Sequence, residues 1–293
     1  MTTAPGGKIL EVPEMPAHRP VVKALGAAIA LGAALLLGAV PAGAATVTRV
    51  VSRAGTVQFV FRAAPGEINR LFATGQVSEE SEFASFVFSG SPRPRPRGGC
   101  RAGPRPTAVT CQASGTQFGG FDGTRIFLGD RNDIATAAAS QVFGQAGNDR
   151  LRARLSASAD GGSGNDVLIG DSTDNALTGG LGNDHLDGGG GRDLALYAAR
   201  RFSVHVDLRR PGPDGVRGER DFLFGIEDVR TGFGRDVVIG NAVPNTLITG
   251  PGNDTINVVH GGADTVLCGP GVDTVRADSS DRLVSCEHVI RIG

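Results

Sequence analysis

The chain has 293 residues, enough for one or two domains, with 45 Gly, no Trp and a single tyrosine, Tyr197. A formal net charge of −1 gives the chain as a whole no strong basic or acidic bias. An apolar content of 40% allows a sizeable core, which must be built from Val, Leu, Ile, Ala and Phe.

The N-terminus reads as an export signal. Arg19 and Lys23 precede the apolar run Ala24–Val40, and Ala42-Gly43-Ala44 is a small-residue cleavage site. Residues 1–44 are therefore expected to be a signal peptide, with a mature chain from Ala45 that is secreted and holds no membrane segment. Met15 is an alternative start. An uncleaved anchor is the alternative fate of the run, which is slightly shorter than the roughly 20 residues a span needs. Beyond Ala44 there is no lysine, and Asp outnumbers Glu by 21 to 7.

Residues 45–116 form a small β-rich region. Thr46–Val51 and Thr56–Arg62 are strands around the turn Ala54-Gly55, Ala63–Glu67 is a second turn, and Phe83–Phe88 is a further strand. Ser91–Pro106 is rich in Pro and Arg and reads as an extended, solvated loop. With nine Arg against four Glu in residues 45–114, the alternative is an arm that binds an anionic polymer, such as nucleic acid or a cell-wall polyanion; the charged patch is short and lacks interleaved aromatics, which favours the solvated loop and argues against nucleic acid.

Four cysteines in an exported chain argue for disulfides. Three connectivities exist; Cys100–Cys111 with Cys268–Cys286 is the simplest. Each local loop would stabilise the fold by about 3 kcal/mol in the chain-entropy model.

Residues 117–293 are a repeat region. Leu128–Asp133 and Gly144–Asp149 resemble turns ending in Asp133 and Asp149, and Phe127–Asp160 reads as opening coils with lengthened strands. From Gly161 the period is regular: GGSGNDVLI, GDSTDNALT, GGLGNDHLD, GGGGRDLAL. Place six holds Asp166, Asn175, Asp184 and Asp193; place eight holds Leu168, Leu177, Leu186 and Ala195. Glycines at places one, two and four suit a tight turn through left-handed backbone. The last three residues are extended, with the place-eight side chain inward. Two units close one coil, and stacking brings place-six residues of units n and n+2 together. Bare carboxylates so placed repel, and a hard cation with Asp and carbonyl oxygens around it removes the repulsion; calcium suits such ligands. Asp166 pairs with Asp184 on one side, Asn175 with Asp193 on the other.

These units resemble the nonapeptide repeat GGxGxDxUx (U aliphatic) of RTX, haemolysin-type, calcium-binding proteins. The resemblance implies an all-β parallel β-roll, or β-solenoid, with Ca2+ in its turns. The unit holding Thr173 and Asn175 departs from the motif. Ala63–Asn69, Gly99-Cys100 and Val109-Thr110-Cys111 are similar to the N-terminal part of a group of exported actinobacterial RTX-repeat proteins, which carry an AAPGExN-like turn and a GC…VxC pair.

Phe202–Leu208 alternates as a strand, Pro211–Gly218 is turn-rich, and Asp221–Val229 returns to apolar alternation; residues at about 197–230 are a wider rung in a continuing solenoid. A second block, TGFGRDVVI, GNAVPNTLI and TGPGNDTIN, places Asp236, Asn245 and Asp254. The next turns place Asp264 and Asp273. The Cys268–Cys286 pair with Asp278, Asp281 and Glu287 makes a terminal cap. Metal-ligand candidates are thus Asp166, Asp184, Asp193, Asp236, Asp254, Asp264 and Asp273, with Asp149 and Asp133 weaker; Asp166–Asp184 and Asp236–Asp254 are the leading pairs.

No HExxH and no GxSxG occur, and His185, His205, His260 and His288 lie far apart in sequence. The expected function is a secreted, non-enzymatic calcium-binding protein. The alternatives are a calcium-stiffened surface adhesin or matrix component and, further off, an RTX-associated hydrolase or polysaccharide lyase. The sequence leaves oligomeric state open.

Overall fold

The computed structural model describes residues 45–51, 56–78, 83–91, 94–103, 108–114, 121–138 and 140–293. The export signal and its cleavage site lie outside the described residues, as does the turn Ala54-Gly55. The described residues contain strands and turns and no helix, and the chain winds as a parallel β-solenoid.

Successive strands of the regular region alternate between two facing walls. Val167–Ile169 pairs in parallel with His185–Asp187, in the register Leu168 to Leu186, while Ala176–Leu181 between them pairs with Leu194–Leu196 on the other wall. Two nonapeptides therefore close one coil, as the period requires. One wall is a single twelve-stranded sheet running from Arg95–Arg97 to Arg282–Val284. The other wall is two sheets: nine strands ending at Phe222–Phe224, then six beginning at Gly215–Val216.

The wider rung is where the second wall divides. After Leu194–Leu196 the chain leaves its coil to form Val204–Asp207, which becomes the platform for Val237–Ile239. It then returns through Phe222–Phe224, paired with His185–Asp187, and Asp228–Arg230, paired with Leu194–Leu196. The twelve-stranded wall passes this point without a break.

The parallel stacking also reaches upstream of Phe127. Val57–Arg62 pairs in parallel with Phe121–Gly129, and Arg70–Ser78 with Ile134–Ala138. Ala63–Asn69, between those two strands, is consequently a solenoid turn: the Gly66 N–H donates to Asp130 Oδ1 at 2.6 Å and the Asn69 N–H to Asp133 Oδ1 at 2.5 Å. The Pro/Arg-rich stretch is not loop throughout. Arg95–Arg97 pairs with Thr46–Thr48 and Arg101–Ala102 with Val109–Thr110, because the Cys100–Cys111 disulfide holds this chain against a strand. Cys268–Cys286 is also formed.

The core is a column of place-eight side chains. Leu168, Leu177, Leu186, Ala195, Val238, Leu247, Ile256, Val266 and Val275 are all buried, each at or near the middle of a short strand. A three-residue strand can bury only its middle side chain, so each coil depends on one or two residues. Leu177→Ala removes a fully buried side chain and is expected to lower unfolding free energy by about 2–5 kcal/mol in denaturant titrations.

Candidate metal centre

The turns are built around close backbone approach. At places two and four, Gly162 and Gly164 have φ of 102° and 132°, in the region that side chains disfavour. At place one the reason for glycine differs from the sequence expectation: Gly161 has no positive φ. A Cβ there would lie 2.6 Å from the Gly179 carbonyl oxygen of the next coil and would meet Asp166 Oδ2. Gly161→Ala therefore overpacks the turn against backbone, and a loss on the order of 3 kcal/mol is expected in thermal or denaturant unfolding.

Place five carries an outer ladder. Asn132, Asn148, Asn165 and Asn183 side-chain oxygens accept the backbone N–H of Asn148, Asn165, Asn183 and Arg220, each at 2.8 Å. Place six carries the inner ladder, which runs the opposite way. The N–H groups of Asp133, Asp149, Asp166 and Asp184 donate to Oδ1 of Asp149, Asp166, Asp184 and Asp221 at 2.7, 2.7, 2.9 and 2.9 Å. On the six-stranded wall, Val204, Asp236 and Asp254 donate to Asp236, Asp254 and Asp273 at 2.8 Å each, and Asp273 to Glu287 Oε2 at 2.9 Å. On the twelve-stranded wall, Asn175 donates to Asp193 at 2.7 Å and Asp193 to Glu227 at 2.9 Å. Further along the same wall, Asn245 donates to Asp264 at 2.7 Å and Asp264 to Asp281 at 3.0 Å.

Except at Asp221 and Asp281, each aspartate in these ladders uses one oxygen. The Oδ2 atoms of Asp133, Asp149, Asp166, Asp184, Asp193, Asp236, Asp254, Asp264 and Asp273 are buried and accept no hydrogen bond from the described residues. All eight residues singled out with Asp133 as ligand candidates thus present a buried, unpartnered anionic oxygen. An unpaired buried carboxylate oxygen is costly, and a column of them is the donor set of a hard cation. The leading pairs stand in consecutive coils, Asp166 under Asp184 and Asp236 under Asp254. Among the described residues no three His, Cys, Asp or Glu side chains cluster as a metal site. A cation in these turns therefore has to draw on backbone carbonyls as well as carboxylates.

The electrostatics differ from the sequence expectation in their cause. Asp149, Asp166, Asp184, Asp254 and Asp264 have pKa values raised to about 6, and Asp193 to about 7. Burial away from water is the largest cause in each; repulsion from the neighbouring carboxylate is a smaller addition. Mutual repulsion is weakened because each Oδ1 faces an N–H rather than another oxygen.

The two asparagine units behave otherwise. Asn175 Oδ1 accepts the Asp171 N–H at 2.9 Å, and Nδ2 donates to Ala157 O at 3.1 Å. Asn245 Oδ1 accepts the Asn241 N–H at 2.9 Å, and Nδ2 donates to Glu227 O at 2.7 Å. Their side chains close their own turns through Oδ1, tie them to the coil before through Nδ2, and leave no stranded oxygen. The second block also departs at place one, where Thr231 and Thr249 stand in for glycine. Their hydroxyls donate to Thr249 O and Cys268 O at 2.8 and 3.0 Å.

Two of the ladders end on an aspartate with both oxygens satisfied. Asp221 Oδ2 accepts the Tyr197 hydroxyl at 2.9 Å, and Asp281 Oδ2 accepts the Asp278 N–H at 2.7 Å. Asn69, Asp221 and Glu227 are ladder members that the nonapeptide register did not reveal. A shorter signal finds them: an Asp, Asn or Glu two residues before a core aliphatic, as in Asn69/Leu71, Asp221/Leu223 and Glu227/Val229.

The family model of the RTX calcium-binding nonapeptide repeat (4 copies) matches residues 160–195, 230–258 and 240–275. These segments are RTX repeats. The matched RTX segments contain the leading pairs, Asp166–Asp184 and Asp236–Asp254, together with Asp193, Asp264 and Asp273. The turns from Ala63 to Asp149 lie outside the matched residues, yet carry the same Oδ1 ladder and, at Asp133 and Asp149, the same stranded oxygens. No curated protein matches the chain.

Proposed function

We propose that this chain is a secreted calcium-binding protein whose RTX turns bind Ca2+ and whose roll is ordered by that binding, with no catalytic role. The observation that carries the reading is the column of buried Oδ2 atoms without partners, in turns that the RTX family model matches. Asp149, Asp166, Asp184 and Asp193 would hold calcium with turn carbonyls in the first block; Asp236, Asp254, Asp264 and Asp273 would do so in the second. Calcium supplies positive charge to oxygens that water cannot reach. The chain's own residues orient those oxygens, through the N–H donors that fix each Oδ1.

Two disulfides accord with an exterior, oxidising location, where sites with Kd of about 0.1–1 mM would be substantially filled. The place-six aspartates have a structural use in the ladders, and this supports the non-enzymatic reading. Calorimetric calcium titration of residues 45–293 tests the assignment. Asp184→Ala should lower the stoichiometry and weaken what remains; a titration indistinguishable from wild type would refute it.

A further inference from the structure

The wider rung has an open groove of about 570 Å³ where the second wall divides, between Val204–Asp207, the turn from Pro213 to Arg220, and Val237. Its size is that of a small-ligand site. Arg217, Arg220 and Arg235 line it together with His205, Ser203 and Glu219.

The charges here differ from those of the turns. Arg200 is committed to Glu219 at 2.7 Å, and Arg209 and Arg210 to Asp207 at 2.8 and 3.4 Å. Arg217, Arg220 and Arg235 are exposed and form no ion pair among the described residues. Asp214, also in the wall, is only 2% exposed and holds the Asp207 N–H at 2.8 Å, so its charge is set back from the opening. The groove thus presents three free guanidiniums and an imidazole. The Ser203 oxygen accepts the Arg235 N–H at 2.9 Å and keeps its own proton to donate. Phe202, 74% exposed, precedes the lining residue Ser203 in sequence.

We propose that this groove binds an acidic polysaccharide, a strand of sugars bearing carboxylates. Free arginines match carboxylates in planar, paired geometry. The Ser203 hydroxyl suits a sugar hydroxyl, and the exposed phenyl face of Phe202, beside it in sequence, suits the C–H face of a sugar ring. Residues 115–293 carry 24 acidic side chains against 17 Arg, so any anionic strand is held over the groove itself and meets like charge beyond it. This places polymer recognition on the wider rung rather than on the Pro/Arg-rich stretch.

The test is calorimetry with trigalacturonate, its methyl ester and a single-stranded oligonucleotide of equal charge, on residues 45–293 in calcium. Trigalacturonate should bind, the ester should not, and Arg217→Ala/Arg220→Ala/Arg235→Ala with unchanged circular dichroism should bind at least about tenfold more weakly. In the wild type, trigalacturonate should also protect Arg217 and Arg220 from phenylglyoxal, read by peptide mass. Equal binding of the ester, undiminished binding by the triple variant, tighter binding of the oligonucleotide, or no protection would each overturn the proposal.

Discussion

Freed of calcium, the chain is expected to be more stable at pH 5 than at pH 8, the reverse of the usual effect of acid on carboxylates. Asp149, Asp166, Asp184, Asp254 and Asp264 titrate near pH 6 and Asp193 near 7 in the fold, against an ordinary value of 3.8. The sign follows from linkage. Between about pH 4 and 7 the folded chain holds more protons than the unfolded chain, so stability falls as pH rises through that window. Ionising one such group costs the fold on the order of 3–4 kcal/mol. Several together rival the entire 5–15 kcal/mol by which domains are usually stable. Melting followed by circular dichroism in EGTA, from pH 5 to 8, should show a falling midpoint. A midpoint flat or rising over that range would mean that the buried oxygens are satisfied by some other means.

With calcium restored, that slope should flatten, and chelation at pH 7.5 should produce the larger change. Ordering of the turns and binding of the ion are then one equilibrium. EGTA is expected to remove most of the β signal from the repeats and to open residues 161–267 to proteolysis. The disulfide-held segments around Cys100–Cys111 and Cys268–Cys286 should resist longer, since each closes a local loop. Magnesium at the same concentration should not restore the signal, because its demand for tight octahedral geometry and retained water does not suit these turns. A β signal unchanged on chelation would separate folding from calcium.

Much of this was legible because the repeat imposes strict geometry. A nine-residue period with an aliphatic at place eight allows only alternate strands on two walls, and Leu168, Leu177 and Leu186 are buried accordingly. The aspartates of place six were legible for the same reason. What escaped was whatever broke the period. Asp221 follows Asp184 in its ladder by 37 residues, because the excursion through Val204–Asp207 intervenes. Asn69 lies 64 residues before its partner Asp133, across a hairpin and a disulfide loop. Stacking acts in space and does not count intervening residues, so a fixed-period reading loses the partner while the Asp-x-aliphatic signal keeps it. The place-one glycine was located correctly, but its reason was not visible in sequence. It makes room for Asp166 Oδ2 and the Gly179 carbonyl rather than supplying a left-handed turn.

Melting midpoint measured against free calcium at pH 7.5 bears most directly on the claim that the stranded carboxylates of the ladders hold calcium in the folded chain. A ligand bound only by the folded state raises stability in proportion to the logarithm of its concentration. The slope counts the ions released on unfolding. The ladders predict a steep rise corresponding to several ions, reduced in Asp184→Ala. A midpoint independent of calcium from micromolar to millimolar would contradict it.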